Sequence, residues 1–454
     1  MTAATTPRGD AVARYRAEYE AFAANGASGE PDWLRARRDA AISHFAEAGF
    51  PTPKDERWRF TNVDPIVRTR FAPAPAVAPA AARDAANEVA IGDPAHRLVA
   101  VYVNGRFAPE LSSLNGLPSG VTIGGLAEAV ATRGDLVSRY LARYASVEAN
   151  PFAALATAFL AHGAFVFVPK NAVVDLPIQL IYVAAGGAGP TRTHLRSLIV
   201  AEAGAQISVL EQYVGVGGGP SWTNVVSEVV LGENAVVDAY RVQREADDAF
   251  HTATTQSYQA RSSVLTSTAF VFGAALSRHD ILATLDGEGA ECTLNGLSVL
   301  RGDQHADHHT TLEHAKPHCP SWELFNGIYD DRSRGVFTGR IIVRPGAQRT
   351  DSKQTNNNLL LSASARADSQ PQLEIYADDV KCTHGATLGP IDPRAMFYLQ
   401  SRGVPQEAAR NLLTYGFGAE ILNSVSIEEL RAQLDTLLHQ RLDDGARRRS
   451  RAAR

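Results

Sequence analysis

A cysteine and a histidine stand two residues apart in LEIYADDVKCTHGATLG, the segment at residues 373–389. Side chains of a strand alternate between its two faces, so Cys382 and His384 share one face if this segment is extended. A thiol beside an imidazole can be activated for nucleophilic attack or can bind a soft or borderline metal. The pair is therefore a candidate sulfur or iron site. The alternative is a structural cysteine, because free cysteines are among the most buried residues.

A histidine-rich segment, HADHHTTLEHAKPHC, occupies residues 305–319. In an extended strand, alternation places on one face His305, Asp307, His309 and Glu313, and on the other His308 and His314. Imidazoles and carboxylates are common metal ligands, which makes the first face a candidate metal site. The alternative is a polar ladder along the face of a repeating β structure.

The number and spacing of the cysteines restrict this chemistry. The chain has three cysteines, Cys292, Cys319 and Cys382, and they form no CxxC pair. This pattern argues against a disulfide framework and against a zinc or iron–sulfur site made of four thiolates from this chain. A cluster would need outside ligands, so we expect the isolated chain to hold none stably.

The glycine-rich GVGGGP at residues 215–220 lies between two predicted strands and has no Lys-Ser/Thr pair. It is therefore neither a P-loop nor a dinucleotide fingerprint, and no GxxxxGK[ST] motif occurs in the sequence. If nucleotide hydrolysis is involved, we expect a partner to supply it.

The composition excludes several other classes. Charged residues make up 20% of the 454 residues, and the formal charge is -5 with both signs interspersed over most of the chain. No nucleic-acid-binding face is predicted from this distribution. The N-terminus lacks a basic region followed by an apolar one, and no apolar run is long enough to cross a bilayer. We expect a soluble, cytoplasmic protein.

Short β-rich runs, such as FVFVP and IQLIYV, fill residues 164–389, with Gly, Asn, Asp and Pro between them. Small-residue turns recur at Gly204-Ala205, Asn234-Ala235, Ser262-Ser263, Gly289-Ala290 and Gly346-Ala347. These turns are 30, 28, 27 and 57 residues apart, and the last gap is about two of the others. The recurring spacing indicates coils of a β-solenoid, and a sandwich or a jelly roll is the alternative.

Before this β core, residues 1–163 are predicted to form a mainly helical N-terminal domain. The Ala/Pro-rich stretch at residues 72–86 is predicted to be a linker of polyproline character.

After the core, residues 390–442 are predicted to form a C-terminal helical domain, and the arginine-rich residues 443–454 a disordered tail. The apolar residues of these helices either pack on neighbouring elements or fit the groove of a partner protein. Four leucines are the candidates for docking a partner: Leu412, Leu413, Leu430 and Leu434.

Longer motifs resemble the SufD family of iron–sulfur cluster assembly proteins, which work in a complex with the paralogue SufB and the ATPase SufC. The segments that carry the resemblance are RGVFTGRIIV at 334–343, QTNNNLLLS at 354–362, PQLEIYADDVKCTHGATLG at 371–389 and MFYLQSRG at 396–403. PTPKDERWRFT, at 51–61, resembles the family's N-terminal segment. The absence of cysteine before Cys292 is more similar to SufD than to SufB.

The resemblance implies a right-handed parallel β-helix flanked by helical domains, a heterodimer with SufB along the β-helices, and a C-terminal domain that docks SufC. It implies that His384 is the functional histidine and Cys382 the neighbouring cysteine, with Thr383 in place of the usual serine. It also implies a scaffold without enzymatic activity that shares transient iron or a nascent cluster with SufB. A homodimer of the isolated chain and a flavin in the complex are open possibilities.

A solenoid enzyme acting on a polyanionic carbohydrate is the competing hypothesis. In that metal-dependent lyase or hydrolase, calcium and a base would be provided by residues among Asp330, Asp331, Arg332, Arg349 and Lys353. Only analogy of fold supports this function. Copurification separates the two hypotheses, since the scaffold should bring an ATPase and a second β-rich subunit with it.

Overall fold

The chain forms a β-solenoid with helices before and after it. The computed structural model describes residues 7–26, 30–75, 80–148 and 150–452. Successive strands of the core alternate between two sheets, which wind together through about eight parallel coils. The predicted parallel β-solenoid with flanking helices is therefore confirmed, and the alternatives of a sandwich or a jelly roll are wrong.

The first sheet, sheet 1, has a short strand, β1 (Ala72–Pro73), beside β7 (Thr191–Ala201). The order of its other strands is β4 (Thr122–Gly125), β5 (Ala164–Val168), β7 (Thr191–Ala201), β9 (Ser221–Leu231), β11 (Phe250–Gln259), β13 (Leu276–Leu285), β15 (His305–His314), β17 (Arg334–Val343) and β19 (Arg366–Ile375). The order in sheet 2 is β3 (Arg106–Phe107), β2 (Leu98–Val103), β6 (Ile178–Ala185), β8 (Gln206–Val216), β10 (Val236–Gln243), β12 (Val264–Val271), β14 (Glu291–Leu300), β16 (Pro320–Tyr329), β18 (Asp351–Leu360) and β20 (Lys381–Gly389). Neighbouring strands are parallel except for the pairs that β3 and β4 make.

A residue in the left-handed conformation marks the same turn in successive coils. The turn residues are Gly204, Asn234, Ser262, Gly289 and His318, with φ between +54° and +71°. Their backbone N–H groups donate to carbonyls of the next coil, for example from Gly204 to Glu233 O at 2.8 Å. The residue that follows each of them is fully buried. Because this turn repeats once per coil, its spacing along the sequence reports the length of a coil.

Two details of the predicted turn pattern differ in the structure. The gap before Gly346 contains the turn His318-Cys319, which supplies the missing coil. The next equivalent turn lies at Arg349 (φ +58°), whose N–H donates to Asp379 O, and not at Gly346-Ala347. A pattern of small residues overlooks these two turns because histidine and arginine supply the left-handed residue.

The interior of the solenoid consists of columns of inward side chains in register. Tyr102, Tyr182 and Tyr213, on β2, β6 and β8, are register partners. Their rings stack at centroid distances of 5.0 and 4.8 Å, close to the spacing of neighbouring strands. Each coil therefore covers the inward residues of the coil before it.

Helices of the N-terminal region cover the outer faces of both sheets. They are α1 (Pro7–Gly26), α2 (Asp32–Ala48), α3 (Asp64–Arg68), α4 (Ala80–Val89), α5 (Leu126–Thr132), α6 (Gly134–Tyr140) and α7 (Pro151–Ala158), with 3-10 turns at Glu56–Trp58 and Pro109–Leu111. Side chains of α1, α2 and α7 pack around Trp222 and Leu276 on sheet 1. Residues of α4 pack on Val99 and Ile181 of sheet 2.

Two predictions about this region need correction. The boundary at residue 164 is too late for the solenoid, because β2 already pairs with β6 in sheet 2. The stretch 72–86 is not a polyproline linker throughout: β1 lies at its start, and α4 begins at Ala80, with Ala82 and Ala86 buried against sheet 2. Residues 76–79 of that stretch, like residues 1–6, lie outside the described residues.

The C-terminal region has three helices, of which the last two cover the outer face of sheet 2. They are α8 (Pro393–Ser401), α9 (Gln406–Leu422) and α10 (Glu428–Ala452). Residues 443–452, which were predicted to be disordered, continue α10, and Asp444 forms an ion pair with Arg301 at 3.1 Å. Residues 453–454 lie outside the described part of the chain. None of the described helices is both long and apolar enough to span a membrane.

The solenoid ends at β19 and β20. Within the described residues, no further strand pairs with either of them. Most residues of β20 are exposed, whereas those of the central coils are mostly buried. We call these two strands the open end of the solenoid.

Candidate functional site

The cysteine–histidine pair lies at the open end, on β20. In the parallel register of β18 and β20, Ser352 is opposite Cys382 and Gln354 is opposite His384. Ser352 and Gln354 are buried on the inward face of sheet 2. Cys382 and His384 therefore continue two inward columns, and they share one face as their spacing predicted.

Position along the solenoid decides how accessible these columns are. Cys292, Ser321, Ser352 and Cys382 are successive members of one column. The first three are at most 1% exposed, whereas Cys382 is half-buried, and His384 in the adjacent column is exposed. Among the described members of these two columns, a thiol and an imidazole are thus presented together at the last coil alone.

The environment of Cys382 favours the neutral thiol. Burial raises the pKa of this thiol, and the carboxylate of Asp351 raises it further. The thiolate is the nucleophilic form of cysteine, so the structure does not support a cysteine activated by its neighbouring histidine. A bound metal ion displaces the thiol proton, so Cys382 can still serve as a metal ligand although its free thiol is neutral.

The other candidate metal site is a polar contact between the N-terminal region and sheet 1. Asp307 lies 2.6 Å from Arg278 and 3.1 Å from His309, and it also accepts a hydrogen bond from Thr61. Nε2 of His305 lies 2.9 Å from the hydroxyl of Thr61. Burial alone would raise the pKa of Asp307, but the guanidinium of Arg278 together with His309 and His305 holds this pKa below its usual range.

This arrangement contradicts the predicted metal site at His305, Asp307, His309 and Glu313. Arg278 already supplies the positive charge that a metal would bring, and Glu313 pairs with Arg344 at 2.6 Å, away from that network. In the described part of the chain, no group of three His, Cys, Asp or Glu side chains is arranged to hold a metal ion. The polar ladder is the correct alternative.

The opposite face of β15 points into the solenoid. Burial lowers the pKa of both His308 and His314 to about 4, so both imidazoles are neutral at physiological pH. His314 contacts the hydroxyl of Ser321 at 3.1 Å, and Ser321 contacts Ser352, the neighbour of Cys382, at 2.7 Å. These histidines belong to the polar interior that supports the open end.

The four candidate docking leucines divide into two groups. Leu430 and Leu434 are fully buried and hold α10 against sheet 2, around Phe270 and Ile328. Their predicted role in docking is therefore wrong, because the sheet already covers them. Leu413 is half-buried, and Leu412 is 54% exposed.

The exposed apolar residues of this region lie mainly on α8, which the sequence patterns did not single out for docking. Phe397 is 72% exposed and Tyr398 is 58% exposed. Together with Leu412 they form the exposed apolar residues of α8 and α9. A helical wheel cannot identify this exposed face. An apolar face that packs on the solenoid and an apolar face that stays exposed have the same pattern in sequence.

Most candidate residues of the carbohydrate-processing hypothesis lie in turns and have local partners, whereas Lys353 lies on the exposed face of β18. Arg332 pairs with Asp303 at 2.6 Å, and Arg349 lies 3.7 Å from Asp379. Asp331 accepts a hydrogen bond from the backbone of Gly302. These contacts join neighbouring turns of the solenoid and assemble neither a calcium site nor a catalytic base.

Two buried residues behind His384 were missed by the sequence patterns. Glu323, Gln354 and His384 are successive register partners on β16, β18 and β20. The available signal was the coil spacing, since these residues stand 31 and 30 positions apart in the sequence. Glu323 and Gln354 thus form the buried column that ends at the candidate site.

The described residues thus form a parallel β-solenoid with an accessible cysteine–histidine pair at its open end. Residues 182–417 match the family described as SUF system FeS cluster assembly, SufBD core domain. Residues 10–180 match the SufBD protein N-terminal region. The chain belongs to the SufBD family.

Curated relatives point to the SufD members of this family. An iron–sulfur cluster assembly SufBD family protein of Synechocystis is 34% identical over 88% of this chain and 89% of its own length. SufD of Escherichia coli is 31% identical, over 89% of this chain and 92% of the relative. SufD of Bacillus subtilis is 28% identical, over 91% and 95%. The sequence resemblance to SufD is therefore confirmed, and the carbohydrate-processing hypothesis has no support.

Proposed function

We propose that this chain is a scaffold subunit for iron–sulfur cluster assembly and that it presents His384 and Cys382 to iron or a nascent cluster at the open end of its solenoid. The observation that carries the proposal is that His384 is exposed and Cys382 half-buried, whereas their register partners in the three preceding coils are buried. A neutral imidazole and a thiolate are both good ligands for iron. Iron and sulfide are cargo here, passed on rather than retained.

The open end also supports pairing with a second solenoid. Unpaired strand edges readily pair with another chain, and both sheets end in such edges at β19 and β20. Large apolar side chains stand exposed beside them: Ile375, Tyr376 and Leu388. We propose SufB as the partner, so that ligands from both chains meet at the junction and complete a site that this chain cannot complete alone.

The second partner that we propose is the ATPase SufC, docked on the exposed apolar residues of α8 and α9. Phe397, Tyr398 and Leu412 provide the apolar surface, while buried leucines of α9 and α10 fix the C-terminal helices to the solenoid. ATP hydrolysis then belongs to SufC, since this sequence has no phosphate-binding loop. A cytoplasmic location, flavin binding in the complex and a homodimer of the isolated chain stay predictions.

The test is to replace His384 by alanine in cells that depend on this pathway and to purify the complex anaerobically. The expected result is an unchanged melting temperature and unchanged yield of SufB and SufC, with greatly reduced iron and sulfide. Cys382→Ser should be milder, because an oxygen still fits the position. Thr383→Ala is the matched control, since Thr383 is exposed on the opposite face of the same strand.

Two other results would contradict the proposed role of His384. A His384→Ala complex with full cluster content would show that the imidazole is not a ligand. Loss of SufB from the purified complex would show that His384 serves the interface between the chains instead.

A further inference from the structure

The column that ends at His384 contains two buried polar side chains directly behind it. Glu323 is 2% exposed and Gln354 is 0% exposed. Because register partners in a parallel sheet lie one strand spacing apart, Gln354 stands between Glu323 and His384. The imidazole of the candidate ligand therefore has a buried amide as its neighbour.

The side-chain amide of Gln354 is hydrogen-bonded to Glu323, its register partner on β16. Its Nε2 donates to Oε2 of Glu323 at 2.6 Å, and the hydroxyl of Thr310 donates to the same oxygen at 3.0 Å. Gly339 leaves room for this contact, since a Cβ at that position would lie 2.2 Å from Nε2 of Gln354. Oε2 of Glu323 accepts both hydrogen bonds, so the amide turns its NH2 group, and not its carbonyl, towards Glu323.

In that orientation the side-chain carbonyl of Gln354 points away from Glu323 and can accept a hydrogen bond from another group. Among the residues that the structure describes, Oε1 of Gln354 is buried and has no hydrogen-bond partner. Buried polar atoms of side chains are nearly always hydrogen-bonded, so an unpaired carbonyl requires a donor. His384, the register partner on the next strand, carries a ring N–H that can supply it.

We propose that Gln354 is a positioning residue for His384: its carbonyl accepts a hydrogen bond from one ring nitrogen and fixes the tautomer in which the other nitrogen offers its lone pair at the open end. Metal-ligating histidines commonly donate their second ring N–H to such an acceptor. This inference rests on the proposed function of His384. It adds that the ligand is oriented by this chain before any partner or iron arrives.

The test uses the full-length chain labelled with 15N in histidine. The ring nitrogens of His384 are assigned by comparison with His384→Ala, and spectra are recorded at pH 8. Burial raises the pKa of Glu323 to about 7, so its carboxylate is ionised at that pH. The wild-type chain should show one tautomer of His384, and Gln354→Met, which removes the carbonyl at similar length, should show a mixture.

Lys353→Met is the matched control, because it places the same side chain on the exposed outward face of the same strand. It should leave the His384 tautomer unchanged. A mixture of both tautomers of His384 in the wild-type chain overturns the proposal. This result needs no variant, so the test still decides if Gln354→Met fails to fold. An unchanged tautomer in Gln354→Met also overturns it.

A second measurement separates this inference from the function on which it rests. In the anaerobically purified complex, Gln354→Met should lower retained iron by roughly ten-fold, a size typical for loss of a histidine's supporting hydrogen bond. If His384→Ala leaves the cluster content unchanged while the tautomer still responds to Gln354→Met, the proposed function fails and the positioning contact stands. If His384→Ala abolishes the cluster but Gln354→Met changes neither readout, the positioning role alone fails.

Discussion

Cys292 and Cys382 lie on the same inward column of sheet 2, three coils apart. Burial raises the pKa of both thiols, and Cys292 is fully enclosed by its neighbouring coils. Ser321 and Ser352 occupy the intermediate positions of the column, so sulfur cannot pass between the cysteines by thiol exchange. Of the two, only Cys382 can meet a partner or a metal.

Glu323 gives a pH-dependent prediction at the residue scale. Burial raises its pKa from 4.5 to about 7, so the folded state binds a proton that the unfolded state has already lost. The stability contributed by this proton is fully present below pH 4.5 and disappears as the pH rises through about 7. The change corresponds to roughly 3 kcal/mol in the free energy of unfolding.

Replacing Glu323 by glutamine removes this titration. Urea denaturation measures the unfolding free energies of Glu323→Gln and of the wild type. The value for the variant minus that for the wild type should rise by roughly 3 kcal/mol between pH 4.5 and pH 8, because only the wild type loses stability through this titration. Taking the difference between the two proteins cancels the contributions of the other titrating groups. A difference that stays constant over this range would mean that Glu323 is ionised throughout.

At the scale of elements, polar residues of β13 and β15 fix the N-terminal region to the solenoid. Arg278 donates to the carboxylates of Asp280 and Asp307, and its guanidinium lies 3.8 Å from the ring centroid of Trp58. Arg57, beside that tryptophan, pairs with Asp280 at 3.0 Å. Residues near 57–61 are thus held on sheet 1 by buried charges, more than 200 positions away in sequence.

Replacing Arg278 by methionine should strongly destabilise the fold. The change leaves Asp280 and Asp307 buried without their main partner, which typically costs about 3–5 kcal/mol. Arg340→Met is the matched control, because Arg340 pairs with Glu374 on the exposed face of β17 and should cost less than about 1 kcal/mol. Urea unfolding measures both, and similar losses for the two variants would refute the assigned role of Arg278.

At the scale of the whole molecule, the solenoid divides the apolar surface of the C-terminal helices into a covered part and a free part. Leu434 lies in the covered part, together with Leu430 and Leu438. Leu412 lies in the free part, near the exposed aromatic residues of α8. Deleting the whole helical domain would uncover sheet 2 and confuse docking with folding, so single substitutions test docking more sharply.

Two leucine-to-alanine variants should therefore behave oppositely. Leu434→Ala should lower the free energy of unfolding by about 2–5 kcal/mol, because it opens a cavity in the packing against sheet 2. Leu412→Ala should change stability by less than about 0.5 kcal/mol but weaken copurification with SufC. Full retention of SufC by Leu412→Ala, and likewise by Phe397→Ala, would argue that the ATPase binds elsewhere.

The sequence alone determined the features that depend on short-range geometry. The spacing of Cys382 and His384 placed them on one face because strands alternate with a period of two. The small-residue turns at Gly204, Asn234 and Ser262 revealed the coil length because each coil needs a left-handed turn residue at the same point. The longer motifs then identified the family.

Only the tertiary structure decided which of these residues are accessible. Leu430 and Leu412 are equally apolar, and His305 and His384 are equally good ligands in principle, yet sheet 2 covers the first leucine and Thr61 binds the first histidine. The covering groups lie far away in sequence, so no local pattern reports them. The exposure of His384 is also decided by the tertiary structure. This residue lies on the last coil, and no further strand of the described chain covers it.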